Sequence, residues 1–362
     1  MDAAVAAIVE RVRAAHAAGE PLRIRGGGSK DFYGETPVGS VLDTTTLVGS
    51  ADHEPTELVV TAPAGMALVD LEALLAAQRQ CLAFEPPRFA SGTTVGGMVA
   101  AGLSGPSRAA AGSLRDHVLG LTMVSGTGEL LHFGGRVIKN VAGYDVSRLV
   151  AGSLGILGVV VEVSLKVLPL AEAETTLRFD CKPREALALL HAWGARPLPL
   201  DASAWWNGNL IVRLRGSAAA VAEGAAALGG EAIAPAAAAP FWQSLRDHSD
   251  PFFVAAQDAI DHQDATLWRL SLPQTAPLLG LAGDELIEWH GAQRWLATAL
   301  PAAQVRDAAA AVGGHATAFR SRDKSAGAFA PLAPPLRAIH ERLKRSFDPK
   351  GILNPGRLYP DL

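Results

Sequence analysis

The sequence predicts an α+β protein of two domains, and three observations carry that reading. Its 362 residues suit roughly two domains, each large enough to bury a core of its own. A glycine-dense stretch from Phe84 to Pro169 holds nearly all of the continuous Val- and Leu-rich runs, which read as strands. From Ala171 the texture changes to alternating strand-like and helical segments, so Pro169 closes the first half.

Taken in order, Asp2 is placed to cap a helix that ends near Gly19, where Pro21 prevents its continuation. Leu22–Arg25 reads as a short strand running into RGGGS, Arg25 to Ser29. Val41–Asp43 and Leu58–Thr61 read as strands, and apolar residues at 3-4 spacing from Leu68 predict an amphipathic helix. The strands His117–Val124, Glu129–Phe133 and Ile156–Val167 follow, with a turn at Gly126–Gly128 joining the first two. In the second half, Glu174–Asp180, Ala202–Trp206, Asn209–Leu214 and Leu267–Leu272 read as strands, and Pro183–Trp193, Ser217–Leu228 and Ala302–Val312 as helices. That order is similar to a βαββαβ sandwich with an insertion. The low-complexity APAAAAP at Pro235–Pro240 is the expected mobile linker. Pro335–Phe347 is a last amphipathic helix, followed by a tight turn at Asn354-Pro355-Gly356.

Composition narrows the function classes. At 49% hydrophobic and 19% charged the chain is globular. A net charge of -4 gives no basic footprint for nucleic acid and no polybasic patch for lipid. Two isolated cysteines, Cys81 and Cys181, make neither a disulfide framework nor a zinc or iron–sulfur site, which points to a reducing cytoplasm. The N-terminal residues carry charges at helical spacing and no cleavage signature, so a signal peptide is not expected. Uncharged runs such as Leu149–Val161 are too short or too glycine-rich for a membrane span. Membrane association is therefore expected only peripherally, through partners at the inner face of the cytoplasmic membrane.

The chemistry is concentrated in the glycines. Three in a row after a strand form a nest of outward N–H groups, and Arg25 and Lys30 add positive charge beside it, which suits a pyrophosphate. Gly96, Gly97 and Gly102 sit among Thr93, Thr94 and Ser104, a bare backbone that a phosphate or flat ring approaches closely. No GxxxxGK[ST] occurs, and no GxGxxG opens a helix. Taken alone, RGGGS is equally a flexible loop. His248, His262, His290 and His315 are scattered singly, which suits surface or capping roles. Trp205, Trp206, Trp289 and Trp295 read as core or interface anchors.

Four segments together resemble the FAD-binding family of vanillyl-alcohol oxidase and p-cresol methylhydroxylase. They are RGGGS, TTVGGMVAAG at Thr93–Gly102, the run from GSLRDHVLG to KNVAGYDVSRLVAGSLGILGV, and the terminal DPKGILNPGR. The resemblance implies a two-part FAD-binding domain, a small α/β subdomain plus a mixed-sheet subdomain, followed by a ferredoxin-like α+β cap. The implied boundaries are residues 1–170 for the flavin domain, with 321–362 returning to it, and 171–320 for the cap. LWRLSLP at Leu267–Pro273 and LIEWHGAQRWL at Leu286–Leu296 are most similar to FAD-binding subunits of glycolate-oxidising complexes. Such complexes convert glycolate to glyoxylate, and the resemblance implies a larger flavin-bearing catalytic partner and an iron–sulfur subunit. The alternatives are a non-catalytic assembly scaffold, or a self-sufficient FAD-dependent oxidase of a small alcohol or 2-hydroxy acid.

By the same resemblance Arg25, Gly26, Gly27, Gly28 and Ser29 match the pyrophosphate loop. Thr94, Gly96 and Gly97, with Thr93 and Gly102 beside them, match the second phosphate and ribityl contact. Gly112, Ser113 and Asp116 match the segment along the isoalloxazine edge, and Val159 and Val160 a strand whose backbone reads a ring edge. Covalent members carry His where this chain has Ser29, so the FAD is expected to be non-covalent. The HxGDGNxH metal motif of the larger 2-hydroxy-acid subunits has no counterpart, so no metal site is assigned. No catalytic side chain is assigned either; Lys139, Tyr144 and Arg320 read as structural contacts.

Overall fold

The computed structural model describes residues 2–136 and 144–362. Within them the chain divides into two compact units. The first comprises Met1–Leu103, Ser113–Pro169 and Pro331–Leu362, and the second comprises Ser104–Gly112 and Leu170–Ala330.

In the first unit, helix α1 (Ala3–Ala18) begins where the Asp2 carboxylate accepts the Ala4 N–H at 2.8 Å, and it stops at Gly19 with φ +68°. Both ends thus use residues suited to their backbone conformations. Strand β1 (Leu22–Arg25) pairs in parallel with β2 (Ser40–Asp43). A separate five-stranded antiparallel sheet has the order β3 (Asp52–Glu54), β4 (Val59–Pro63), β8 (Val159–Lys166), β6 (Val118–Val124), β7 (Leu130–Gly134). A two-residue pairing joins β5 (Gln80–Cys81) to β9 (Leu168–Pro169). Helices α2 (Leu68–Ala77) and α3 (Val95–Ala101) contribute Leu68, Leu71, Leu75, Met98 and Val99 to one core with Val159 and Val163 of β8. Each such fully buried side chain contributes about 1.5–3 kcal/mol. β8 sits between two strands and is buried at nearly every position, which explains its unbroken apolar run.

The second unit is built on one eight-stranded antiparallel sheet. Its strands are β10 (Ala173–Asp180), β11 (Leu200–Trp206), β12 (Asn209–Gly216), β13 (Glu231–Ile233), β14 (Thr266–Ser271), β15 (Asp284–Glu288), β16 (Gln293–Thr298) and β17 (His315–Arg320). They lie in the order β13-β10-β12-β11-β15-β16-β14-β17. The first four strands are thus arranged fourth, first, third, second, and the last four repeat that order in mirror image. The halves meet where Trp205 of β11 lies opposite Ile287 of β15. Helix α4 (Pro183–Gly194) links β10 to β11, and α5 (Ala218–Leu228) links β12 to β13. Helices α6 (Pro235–Asp247) and α7 (Pro251–His262) precede β14, and α8 (Ala302–Ala311) precedes β17.

The expected linker at Pro235–Pro240 is instead the first turn and a half of α6. Pro235 occupies the helix start, where its missing N–H costs nothing, and alanines have the highest helix propensity. Ala238, Trp242 and Leu245 are buried, and the Trp242 indole donates to Thr176 Oγ1 at 3.0 Å. That packing outweighs the helix bond lost at Pro240. Residues 321–330 stay with the second unit because Arg306 donates to the carbonyls of Ala326, Gly327 and Phe329.

The chain returns to the first unit through α9 (Pro334–Phe347). The buried Lys344 ammonium donates to Asp348 Oδ2 (2.7 Å), Ile156 O (2.9 Å) and Leu353 O (2.7 Å). All three of its protons are therefore used. The Leu22 N–H then bonds Ile352 O at 2.7 Å, which fastens the C-terminal turn to β1. No helix among the described residues is long and apolar enough to cross a membrane.

Candidate functional site

The candidate site is a cleft of the first unit, and backbone forms most of it. β1 delivers the chain into Gly26–Ser29, whose four successive N–H groups meet no acceptor among the described residues. Unpaired donors crowded at one place form an anion nest. A Cβ on Gly27 would lie 1.4 Å from Gly92 O, so only glycine lets these two strands of chain touch. Gly28 has φ +72°, and a Cβ there would meet the Arg25 guanidinium at 2.1 Å. Arg25 lies along the loop and donates from Nε to Asp31 Oδ2 at 2.9 Å, and that bond raises its pKa further. Asp31 also takes Arg23 at 2.7 Å.

The opposite wall is the start of α3. The Thr94 hydroxyl accepts the Gly97 N–H at 3.2 Å, and a Cβ on Gly26 would meet that hydroxyl at 2.4 Å. Gly96 sits against Ala64, where an added Cβ would come within 2.8 Å of the Ala64 methyl. Thr93 lies behind the cleft, its hydroxyl 2.9 Å from Ser29 Oγ and 2.9 Å from Ala90 O. The floor is Leu154, Gly155, Gly158 and Val160. Leu154 holds φ +52°, a conformation that costs a leucine energy and that glycine adopts freely.

Asn354 and Arg357 supply side chains to the same cleft. Asn354 Oδ1 accepts the Ile24 N–H at 2.7 Å and its Nδ2 donates to Leu154 O at 2.6 Å, so one side chain spaces two walls. Arg357 donates to Asp31 O at 3.0 Å, Lys30 O at 3.3 Å and Glu35 O, fixing the far side of the glycine loop. Burial pulls its pKa down to about 10, against the opposing pull of Asp31. Sequence reading passed over both as site residues. The NPGR turn that carries them was visible, but its 330-residue reach back to Ile24 was not.

Residues 3–134 match the FAD binding domain family. Over 356 residues the chain is 44% identical to glycolate oxidase subunit GlcE of Escherichia coli (strain K12), covering 98% of this chain and 97% of that protein. The chain belongs to the GlcE family of glycolate oxidase subunits. Bacillus subtilis glycolate oxidase subunit GlcD is 32% identical over 160 residues, 43% of this chain and 34% of that one. Archaeoglobus fulgidus D-lactate dehydrogenase is 35% identical over 162 residues, 43% of this chain and 35% of that one. An alkyldihydroxyacetonephosphate synthase structure matches 97% of this chain and 74% of its own at TM-score 0.65 and 15% identity, a likeness of fold alone.

The family gives the chain its cofactor, since it carries an FAD binding domain and is a flavoprotein of the oxidoreductase class. The residues present fit FAD: free N–H groups suit a pyrophosphate, and glycines leave room where any Cβ would intrude. The cleft brings together Arg25, Gly26, Gly27, Gly28, Ser29, Thr94, Gly96, Gly97 and Val160. The remaining residues matched by resemblance do not line it. Gly102 caps α3 at φ +64° and packs against Gly152, where a Cβ would stand 2.7 Å from its Cα. Ser113 and Asp116 form a capping box. Burial alone would raise the Asp116 carboxyl, but bonds from the Ser113 hydroxyl and N–H hold it below its usual value. Gly112 belongs to the second unit, and Val159 is buried in the sheet opposite Val124.

Lys139 lies outside the described residues, and Tyr144 is exposed. Arg320 is a half-buried second-unit residue that donates to Gln257 at 3.3 Å. Of the four tryptophans, Trp206 is half-buried and donates to Asp284 at 3.0 Å. Trp205, Trp289 and Trp295 are buried and donate to Cys181 O, Gly105 O and Glu288. His290 is buried, and His248 is half-buried and caps the C-terminus of α6 at φ +56°.

Proposed function

We propose that the chain is an FAD-binding subunit of a complex that oxidises glycolate to glyoxylate. The observation that carries this reading is near full-length similarity to GlcE combined with the glycine cradle at Gly26–Ser29. A flavin held there would supply two-electron redox chemistry. The N–H groups of Gly26–Ser29 would hold its pyrophosphate, with Arg25 supplying charge. Thr94, Gly96 and Gly97 would lie beside the second phosphate and ribityl chain. Thr93 and Gly102 would stand close by them, Gly112, Ser113 and Asp116 along the isoalloxazine edge, and the backbone of Val159 and Val160 at a ring edge. The cofactor is non-covalent, because Ser29 offers no imidazole for a tether.

The reading includes a larger flavin-bearing partner of the GlcD kind, on which the main catalysis takes place, and an iron–sulfur subunit. It is a cytoplasmic assembly whose contact with the membrane runs through partners. Functionally the chain divides into a p-cresol methylhydroxylase-type domain, 1–170 with 321–362, and a cap, 171–320. The mirrored strand order of the eight-stranded sheet supports a cap of two ferredoxin-like halves joined at β11 and β15.

Co-purification from native cells, with flavin counted per chain, tests the assembly. Anaerobic mixing of the FAD-loaded chain with excess glycolate tests where the chemistry sits. Slow or absent bleaching of the flavin is expected. Prompt bleaching without a partner would make this chain a self-sufficient oxidase.

A further inference from the structure

The C-terminal segment completes the glycine cleft, and one side chain in it joins two of the cleft's walls. Leu22 and Leu353 form a parallel bridge, and the Asn354 N–H donates to Leu22 O at 2.8 Å. The turn is braced from its own side as well. Leu353 O accepts from the Lys344 ammonium at 2.7 Å, and the Leu353 N–H donates to Asp348 Oδ2 at 2.7 Å. The backbone at Asn354 is left-handed, φ +42°, which asparagine tolerates better than most residues. These main-chain bonds hold the turn without help from the Asn354 side chain.

That side chain is 7% exposed and lines the cleft. Its Oδ1 accepts the N–H of Ile24, just ahead of the glycine nest, at 2.7 Å, and its Nδ2 donates to Leu154 O on the floor at 2.6 Å. Only one sense of the amide serves both, because Ile24 offers a donor and Leu154 an acceptor. Leu154 is the residue in need of such a bond. It holds φ +52°, where a leucine stays only if its surroundings keep it there. Its N–H is bonded to Ala100 O of α3 at 2.9 Å, and the Asn354 amide fixes its other end. Gly155 follows at φ +77°, and a Cβ there would stand 2.8 Å from Asn354 Nδ2, so amide and floor are in close contact.

We propose that Asn354 is a positioning residue for the cofactor. It holds Leu154 in its left-handed conformation and so sets the gap between the Gly26–Ser29 nest and the Leu154–Gly158 floor. The inference rests on the reading that FAD occupies this cleft. An uncharged amide adds nothing to the charge balance of a diphosphate; its effect is on the shape that FAD meets. A cleft already held at its working width loses less freedom on binding, and affinity rises accordingly.

The test is fluorescence titration of the full-length chain, freed of flavin, with FAD. Asn354→Asp keeps an acceptor for the Ile24 N–H and sets a second acceptor against Leu154 O. Its FAD affinity should fall about tenfold or more. Leu154→Gly supplies a residue that adopts positive φ freely. Added to Asn354→Asp, it should recover several-fold of the loss, whereas two merely structural defects would add. Hydrogen exchange gives a readout apart from affinity. FAD should slow exchange of the Leu154 amide in the native chain, and in the Asn354→Asp chain saturated with FAD that amide should stay faster. A native chain that takes up no FAD would overturn the reading of the cleft. Where the native chain binds FAD, unchanged affinity in Asn354→Asp, or a double variant no tighter than Asn354→Asp, would overturn this inference alone. So would a Leu154 amide in the native chain that exchanges equally fast with and without FAD.

Discussion

The two units meet the need for polar contact in opposite ways. In the first, main chain does the work: Gly26–Ser29 present bare N–H groups, and the space around them exists because side chains are missing. In the second, side chains carry the polar core. Ser107 lies 3.0 and 2.9 Å from the two oxygens of Asp201, and Arg213 donates to Ser107 at 2.7 Å and to Asp201 at 2.6 Å. Ser107 sits on the Ser104–Gly112 segment, and the Trp289 indole anchors that segment again at Gly105 O, 3.0 Å away. A backbone site fails when something is added, and a side-chain network fails when something is removed. Substitutions of the two kinds should therefore separate flavin binding from stability of the second unit.

The largest effect is expected from Asp201→Ala. Arg213 is 3% exposed, and losing Asp201 removes the counter-charge of this buried guanidinium and the carboxylate that accepts from Ser107. Breaking such a pair costs about 3–5 kcal/mol, and Arg215, 3.6 Å from the same carboxylate, loses that contact as well. Urea unfolding should show the second unit melting first while flavin content of the folded protein stays unchanged. Flavin lost in proportion to stability would mean that the two units are not separable in this way.

Gly27→Val should do the reverse. Its Cβ would fall 1.4 Å from Gly92 O, so the loop must move. The backbone strain is on the order of 1–3 kcal/mol, and the cradle loses its shape besides. Bound flavin, read from its visible absorbance per chain, should fall steeply while the second unit unfolds at its usual urea concentration. Full flavin loading would show that the glycine loop is only a turn.

This contrast also explains what could be read from the sequence. A backbone site leaves a run of small residues, so RGGGS and TTVGGMVAAG were visible, as were the unbroken apolar strands behind them. The Ser107 network was not visible, because its members lie 94 and 106 residues apart and each is an ordinary residue by itself. Asn354 escaped for the same reason, since its two partners lie 330 and 200 residues away. The α6 error came from composition, where alanine between two prolines hid a helix that Trp242 holds in place.

A smaller effect should separate the units by pH. His248 stacks on Phe253 with 3.7 Å between ring centres, and its pKa is pushed well below the usual value by desolvation of the ring and by Arg320 and Arg269. Burial also lowers His290, with Asp201 opposing. A base whose folded pKa is depressed stabilises the fold above its unfolded value, near 6.5, and that contribution is lost as pH falls. Each histidine should cost the second unit up to about 1.4 kcal/mol per pH unit below that point. His248→Phe should flatten part of the slope between pH 6.5 and 5 in urea titrations. An unchanged slope would assign the acid sensitivity elsewhere.

The smallest expected effect is the sharpest test of the backbone argument. Thr94 puts a side chain into the glycine cradle, capping α3 through the Gly97 N–H and facing Gly26. Thr94→Ala removes the cap, worth about 1 kcal/mol, and leaves every N–H of Gly26–Ser29 in place. Flavin affinity should therefore weaken only several-fold, and Thr94→Ser, which keeps the hydroxyl, should recover most of the loss. Fluorescence titration of the apoprotein with FAD reads both changes. If Thr94→Ala abolished binding while Gly27→Val were tolerated, the cofactor would be held by side chains, and the first unit would work like the second.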